Sequence, residues 1–215
     1  PEGYDRSATH RVGGETTRGG FDKSANATFD FVPAGGVPKL TRQVVALASC
    51  SQCHDPLSAH GGSRQDPALC VTCHTSQTID PETGNTVDFK VMVHKIHRGA
   101  NLPSVIAGKP YTIVGFSQTV FDFSGAVWPQ FGASIGEIRT CTTCHGAPPA
   151  GMKAEDYAKL APNADNWKNN PSRAACGSCH DNIDWTTGKT TVKDKKDHAG
   201  GRQTKDVACK SCHAA

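Results

Sequence analysis

The chain has 215 residues, with 23 lysines and arginines against 20 aspartates and glutamates, for a formal charge of +3. That length allows one large domain or two small ones, and no run of 18 apolar residues is present to encode a membrane span. Leu, Ile, Val and Phe total 36 residues, about 17%, below the roughly 20% at which a highly charged chain is disordered; because the charge here is small, something besides side chains must supply apolar volume.

In chain order, "TFDFV" (28–32) alternates as a strand does, and "PAGGVP" (33–38) is turn chemistry. A short helix is expected over 41–54, leading into the first cysteine pair. After "TGNT" a helix is expected from Asp88 to Arg98, with Gly99 ending it. "YTIVGF" (111–116) and "VFDFSGAVWPQF" (120–131) read as extended segments and turns. Short helices follow over 152–161 and, after Pro171, over 172–181. The rest reads as loop. With no charged-then-apolar leader, the sequence has the character of a mature soluble chain or a fragment.

All ten cysteines fall into five copies of one pattern. These are "CSQCH" (Cys50, Cys53, His54), "CVTCH" (Cys70, Cys73, His74), "CTTCH" (Cys141, Cys144, His145), "CGSCH" (Cys176, Cys179, His180) and "CKSCH" (Cys209, Cys212, His213). C-x-x-C-H is the attachment signature of c-type haem: two thiols add across the vinyl groups, and the adjacent histidine reaches the iron from one face. Disulfides, thioredoxin-like redox pairs and thiolate zinc sites also use paired cysteines, but none requires a histidine after every pair. With 10 histidines in the chain, five such hits by chance have a probability on the order of 10⁻⁷.

Five histidines remain: His10, His60, His94, His97 and His198. Five haems need five distal ligands. Methionine could serve, but the chain has only Met92 and Met152, and methionine is more often a core gap-filler. The composition therefore predicts five bis-histidine, six-coordinate irons. Such sites have no open position and pass electrons rather than bind substrate. His10 lies apart from the other four, 40 residues before the first attachment cysteine.

His94 and His97 sit three apart in "MVHKIHRG" (92–99). On a helix such residues lie about 60° apart around the axis and about 4.5 Å along it. They cannot reach one iron from opposite porphyrin faces, so they serve two haems, and the helix becomes a strut between two irons. The zinc motif H-E-x-x-H differs in spacing, and Lys95 stands where a glutamate base would be.

The first and last haem pairs look like copies of one unit. "ASCSQCHD" (48–55) resembles "AACGSCHD" (174–181), and "HGGSRQDPALCVTCH" (60–74) resembles "HAGGRQTKDVACKSCH" (198–213). An internal duplication and convergence under haem packing both explain the match. The glycines after His60 and His198 would let backbone approach a porphyrin face. Five haems at the centre explain the scarce aliphatics, and attachment becomes part of folding. Their propionates would shift the charge from +3 to about −2 oxidised and about −7 reduced, giving no reason to expect a nucleic-acid partner.

The stretch "CVTCHTSQTIDPETGNTVDFKVMVHKIHRGANLPSV", with "GKPYTIVGF" and "PSRAACGSCHD", resembles a pentahaem domain of the outer-membrane decahaem cytochromes of MtrC/OmcA type. The resemblance runs from roughly residue 28 to the end and implies a multihaem cytochrome c fold. That fold would consist mostly of short α-helices and loops wrapped around five covalent haems, with little β beyond a strand near the N-terminus. It implies residues 28–215 as the pentahaem domain, with 1–27 at most the remnant of a preceding β-domain. The family's proximal ligands match His54, His74, His145, His180 and His213; its distal ligands match the "HGG", "HKIH" and "HAGG" positions. An exported protein on the cell surface or in the periplasm is implied, taking electrons from a porin-cytochrome conduit or other multihaem cytochromes. Its acceptors would be metal oxides, flavins or electrodes. Two departures stand out: no cysteine is spare for the pair often found in the family's β-barrels, and there are five attachment sites rather than ten. A fragment or single-domain relative is expected. Rival readings are a multihaem reductase of nitrite, hydroxylamine or tetrathionate, needing one open haem, and a subunit of a cytochrome filament.

Overall fold

The computed structural model describes residues 3–19, 23–39, 42–128, 138, 140–146 and 148–213. The chain divides into two compact units: residues 1–74 with 142–165, and residues 75–141 with 166–215.

The first unit opens with an antiparallel hairpin of β1 (His10–Arg18) and β2 (Lys23–Phe31). Arg11 faces Asp30 across it, and two guanidinium nitrogens donate to the carboxylate at 2.7 Å, the two-pronged geometry that gives such pairs direction as well as strength. The strand expected at 28–32 is the end of β2. Its partner β1 lies in the segment 1–27, where the sequence reading assigns no individual strand. Gly13 is there for proximity: a Cβ would lie 2.6 Å from Leu69 Cδ1 in α2 (Pro67–Cys70).

The helix expected over 41–54 shrinks to α1 (Leu47–Cys50). The carbonyls of Gln43 and Val44 are committed elsewhere, to the Asn163 amide at 3.0 Å and the His145 ring at 3.0 Å, so they cannot close helical turns. A small core of Ala46, Tyr157, Ala161 and Ala164, with Met152 against it, joins α1 to the helix at Ala154–Leu160. Met152 thus fills a gap, in keeping with its residue type.

In the second unit α3 (Phe89–Arg98) carries both histidines of the expected strut. The Asp88 carboxylate accepts from the Lys90 amide at the start, and Gly99 stops the helix at φ +42°. Helix α4 (Pro103–Ile106) follows, then the short antiparallel pair β3 (Thr112–Val114) and β4 (Val120–Asp122). The end of "VFDFSGAVWPQF", residues 129–131, lies outside the described residues. The Ala154–Leu160 helix of the first unit is α5 in chain order. The second unit then resumes with α6 (Asn166–Asn169), α7 (Arg173–Cys179) and a hairpin of β5 (Ile183–Asp184) and β6 (Lys189–Thr190). Ser172 caps α7 by accepting from the Ala175 amide at 3.2 Å.

Short helices and loops dominate, as expected, with more β than the single strand anticipated. The buried apolar residues among the described ones are few, and three of the seven are alanines. Side chains alone make a poor core here.

Candidate functional site

Each attachment motif sits on a short helical segment. The first two follow from α1 and α2, the fourth closes α7, and the third and fifth lie in 3₁₀ turns at Cys141–Thr143 and Asp206–Ser211. In four of them the histidine amide donates to the carbonyl of the first cysteine: His54 to Cys50 at 2.9 Å, and His74 to Cys70, His180 to Cys176 and His213 to Cys209 at 3.0 Å. That turn folds the backbone of each of these histidines back onto the first cysteine of its motif, which attachment of both to one porphyrin requires. All ten thiols are free of disulfides. Burial pushes the Cys50 thiol up to about 12, and also raises Cys70, Cys176 and Cys179. Among the described residues no three His, Cys, Asp or Glu side chains converge as a zinc site demands.

The structure brings two of the predicted distal histidines close to attachment histidines. The ring centroids of His60 and His74 are 5.9 Å apart, and those of His198 and His213 are 6.3 Å apart with 28° between planes. Metal–imidazole bonds of about 2.0 Å put the centroids of two trans ligands on one metal about 6 Å apart. The residues present therefore fit a haem iron between each pair.

Tautomers fit as well. A carbonyl can only accept, so a ring Nδ1 beside one must carry the proton, leaving Nε2 with a lone pair for a metal. Four histidines meet this condition: His94 Nδ1 donates to the Lys90 carbonyl at 2.6 Å, His97 to Val93 at 2.9 Å, His145 to Val44 at 3.0 Å and His198 to Gly201 at 2.9 Å. On α3 each acceptor lies one turn back, so the helix itself orients both rings. Burial also lowers the pKa of His60, His145 and His180, favouring the neutral form that binds metal.

His10 is placed differently. Its Nε2 donates to the Asp5 carbonyl at 2.9 Å, and its ring packs against Tyr4 and Phe31. Ligation through Nε2 would require that bond to be exchanged for iron.

The hairpin holds the His60 loop. Asn26 Oδ1 accepts from the Gln65 and Asp66 amides at 2.7 and 3.1 Å, its Nδ2 donates to the Ser63 carbonyl at 2.8 Å, and Glu15 accepts from Arg64 at 2.9 Å. The glycines of "HGG" have a backbone purpose: φ is +75° at Gly61 and +103° at Gly62, after +51° at His60. In "HAGG", Gly200 answers to proximity instead, since a Cβ there would lie 3.1 Å from the His198 ring.

Sequence reasoning missed several supports. Trp185 packs edge-on against His198 at 5.3 Å, and its Nε1 would be 2.7 Å from a Cβ at Gly177, inside the fourth attachment motif. Trp128 packs edge-on against His97 at 5.4 Å. The Tyr157 hydroxyl donates to the Cys144 carbonyl at 2.9 Å and lies 3.0 Å from Ser49 Oγ, joining the first and third motifs. Lone aromatics carry no motif, so only the fold could show these roles.

Comparison with known proteins agrees with this constellation. Residues 42–215 match the family model described as outer membrane cytochrome MtrC/MtrF-like, domains II/IV. The multiheme cytochrome MtrC of Shewanella baltica (strain OS185) is 28% identical over 193 residues, covering 88% of this chain and 21% of that protein. The crystal structure of the outer membrane decaheme cytochrome OmcA superposes with a TM-score of 0.69 at 32% identity, covering 99% of this chain and 27% of that one. The chain thus spans about a fifth to a quarter of the length of these relatives. A family match over most of its length, with five C-x-x-C-H motifs in the sequence, places this chain among the MtrC/MtrF-like outer membrane cytochromes, as a domain of the II/IV type.

Proposed function

We propose that the chain is an electron-transfer module that holds five c-type haems and passes electrons through bis-histidine irons. The five cysteine pairs anchor the haems. His54, His74, His145, His180 and His213 are the proximal ligands, and His60, His94, His97, His198 and His10 the distal ones. When bound, the haems supply one-electron iron chemistry. The carrying observation is the approach of His60 to His74 and of His198 to His213, at centroid separations that an iron held between two imidazoles would need. Carbonyls of Lys90, Val93, Val44 and Gly201 hold the protons of four imidazoles, keeping the ligand atoms bare and the rings oriented. Two histidines held to each haem would leave no iron position for a substrate, and this reading assigns no catalytic residue.

Membership of an outer-membrane cytochrome family supports an exported, cell-surface location. No helix among the described residues is long and apolar enough to cross a membrane. The wider role is extracellular respiration: electrons arrive from a porin-cytochrome conduit or another multihaem cytochrome and leave to metal oxides, flavins or electrodes. Reduction of the purified holoprotein followed by stopped-flow reoxidation with ferric citrate, flavin or manganese oxide tests that role. Rapid reoxidation of all haems is expected, and reduced protein that persists with every acceptor opposes it.

One observation favours a second reading. The bond from His10 Nε2 to the Asp5 carbonyl would leave one iron with an open face, as a multihaem reductase requires. Carbon monoxide binding to one haem in five, with nitrite turnover driven by methyl viologen, would select that reading.

A further inference from the structure

Lys95, which stands between the two histidines of α3, reaches out of its own helix. Its Nζ donates to Asp181 Oδ2 at 2.8 Å, and Asp181 directly follows His180 of the fourth attachment motif. The pair is shielded, with side chains 18% and 7% exposed. Ser104 of α4 completes the cage: its amide donates to Asp181 Oδ1 at 3.0 Å and its hydroxyl to Oδ2 at 2.6 Å. The Lys95 ammonium also lies 4.9 Å from the centroid of the Tyr111 ring.

A shielded ion pair contributes little net stability, because desolvation offsets attraction, but it is strict about geometry and costly to break on one side. Its place in the chain is therefore informative. It joins the helix bearing two distal ligands to the residue next to a proximal one. We propose that Lys95 and Asp181 form a positioning pair that locks α3 to the His180 motif and cancels two fixed charges beside the irons, so that the pair, rather than either charge alone, sets the potential there. This rests on the reading of His94, His97 and His180 as haem ligands.

The electrostatics have a sign. Removing the Lys95 cation leaves the Asp181 carboxylate uncovered, which favours ferric iron; removing the Asp181 charge leaves the cation uncovered, which favours ferrous iron. Spectroelectrochemical titration of the purified holoprotein at pH 7 reads this directly. Lys95→Met should lower the potential of at least one haem and Asp181→Asn should raise it, each by about a tenfold change in the reduction equilibrium, or ~59 mV for a one-electron couple. Lys95→Arg and the double variant Lys95→Met/Asp181→Asn should titrate like the parent protein, and the double variant serves even if a single variant fails to assemble. Shifts of the same sign in both single variants, no shift in either, or a double variant displaced like Lys95→Met would overturn the proposal. A parent protein lacking low-spin haem spectra would instead defeat the ligand reading on which it rests.

Discussion

His198 and His213 stand ring to ring, 6.3 Å between centroids and 28° between planes, although 15 positions separate them in the chain. Three local devices produce this: the Gly201 carbonyl that holds His198 Nδ1, the Trp185 edge behind His198, and the Cys209–His213 turn that presents the partner. Replacing His198 with alanine should leave one haem in five, the one anchored at Cys209 and Cys212, high-spin and able to bind carbon monoxide. Absorbance and low-temperature EPR would show the change; a variant with only low-spin iron opposes the pairing.

The two histidines of α3 should act on different irons. His94→Ala and His97→Ala should each produce one high-spin haem, and the double variant two. Magnetic circular dichroism quantifies the high-spin fraction. A double variant with the same fraction as either single one would mean that both side chains serve one site.

Gly99 carries a steric demand that can be separated from backbone strain. It ends α3 at φ +42°, and a Cβ there would lie 2.1 Å from the Ala126 carbonyl oxygen. Gly99→Ala should destabilise the holoprotein by about 2–4 kcal/mol, from collision and strain together. Gly108, at φ +87° with open space where a Cβ would stand, should cost only about 1 kcal/mol on the same change. Denaturant titration of both variants checks the difference.

Asp80 offers a pH signature. Its carboxylate accepts from the Thr83 hydroxyl and from the Val114 and Glu82 amides, and the Thr83 bond is the main cause holding its pKa at about 2. A carboxyl depressed in the folded state contributes stability that is full above its ordinary pKa of 3.8 and lost as pH falls toward about 2. The stability difference between the parent protein and Asp80→Asn should therefore be constant above about pH 5 and shrink as pH falls from about 4 to 2. A difference independent of pH over that range would show that the carboxylate charge is not what holds the loop to β3.

Haem removal should unfold the chain. Among the described residues the buried apolar set is small and includes Ala46, Ala161 and Ala164, so on the proposed reading the porphyrins supply most of the buried apolar area. Protein produced without haem attachment should show little helix by circular dichroism and no cooperative melt.

Much of the site was legible because its chemistry is local. Five C-x-x-C-H motifs announce themselves, and α3 is bounded by Asp88 and Gly99, whose capping roles follow from residue type. What sequence could not show depends on distant partners. The helix expected over 41–54 lost its first turns to Asn163 and His145, about a hundred positions away or more. Strand β1 pairs with β2, sets Arg11 opposite Asp30 and runs Gly13 close to Leu69, relationships that alternation does not encode. Lys95 enters the sequence reading only as the residue standing where a zinc motif would have glutamate, and its bond to Asp181 needed the fold. The placing of His10 in a hairpin, bonded to Asp5, likewise needed the fold.

The most direct measurement is haem stoichiometry by intact mass, combined with EPR and near-infrared magnetic circular dichroism of the oxidised holoprotein. A bis-histidine electron-transfer module predicts five covalent haems, every iron low-spin and every near-infrared charge-transfer band of the histidine–histidine type. Fewer than five haems, or high-spin iron in the intact protein, would contradict it.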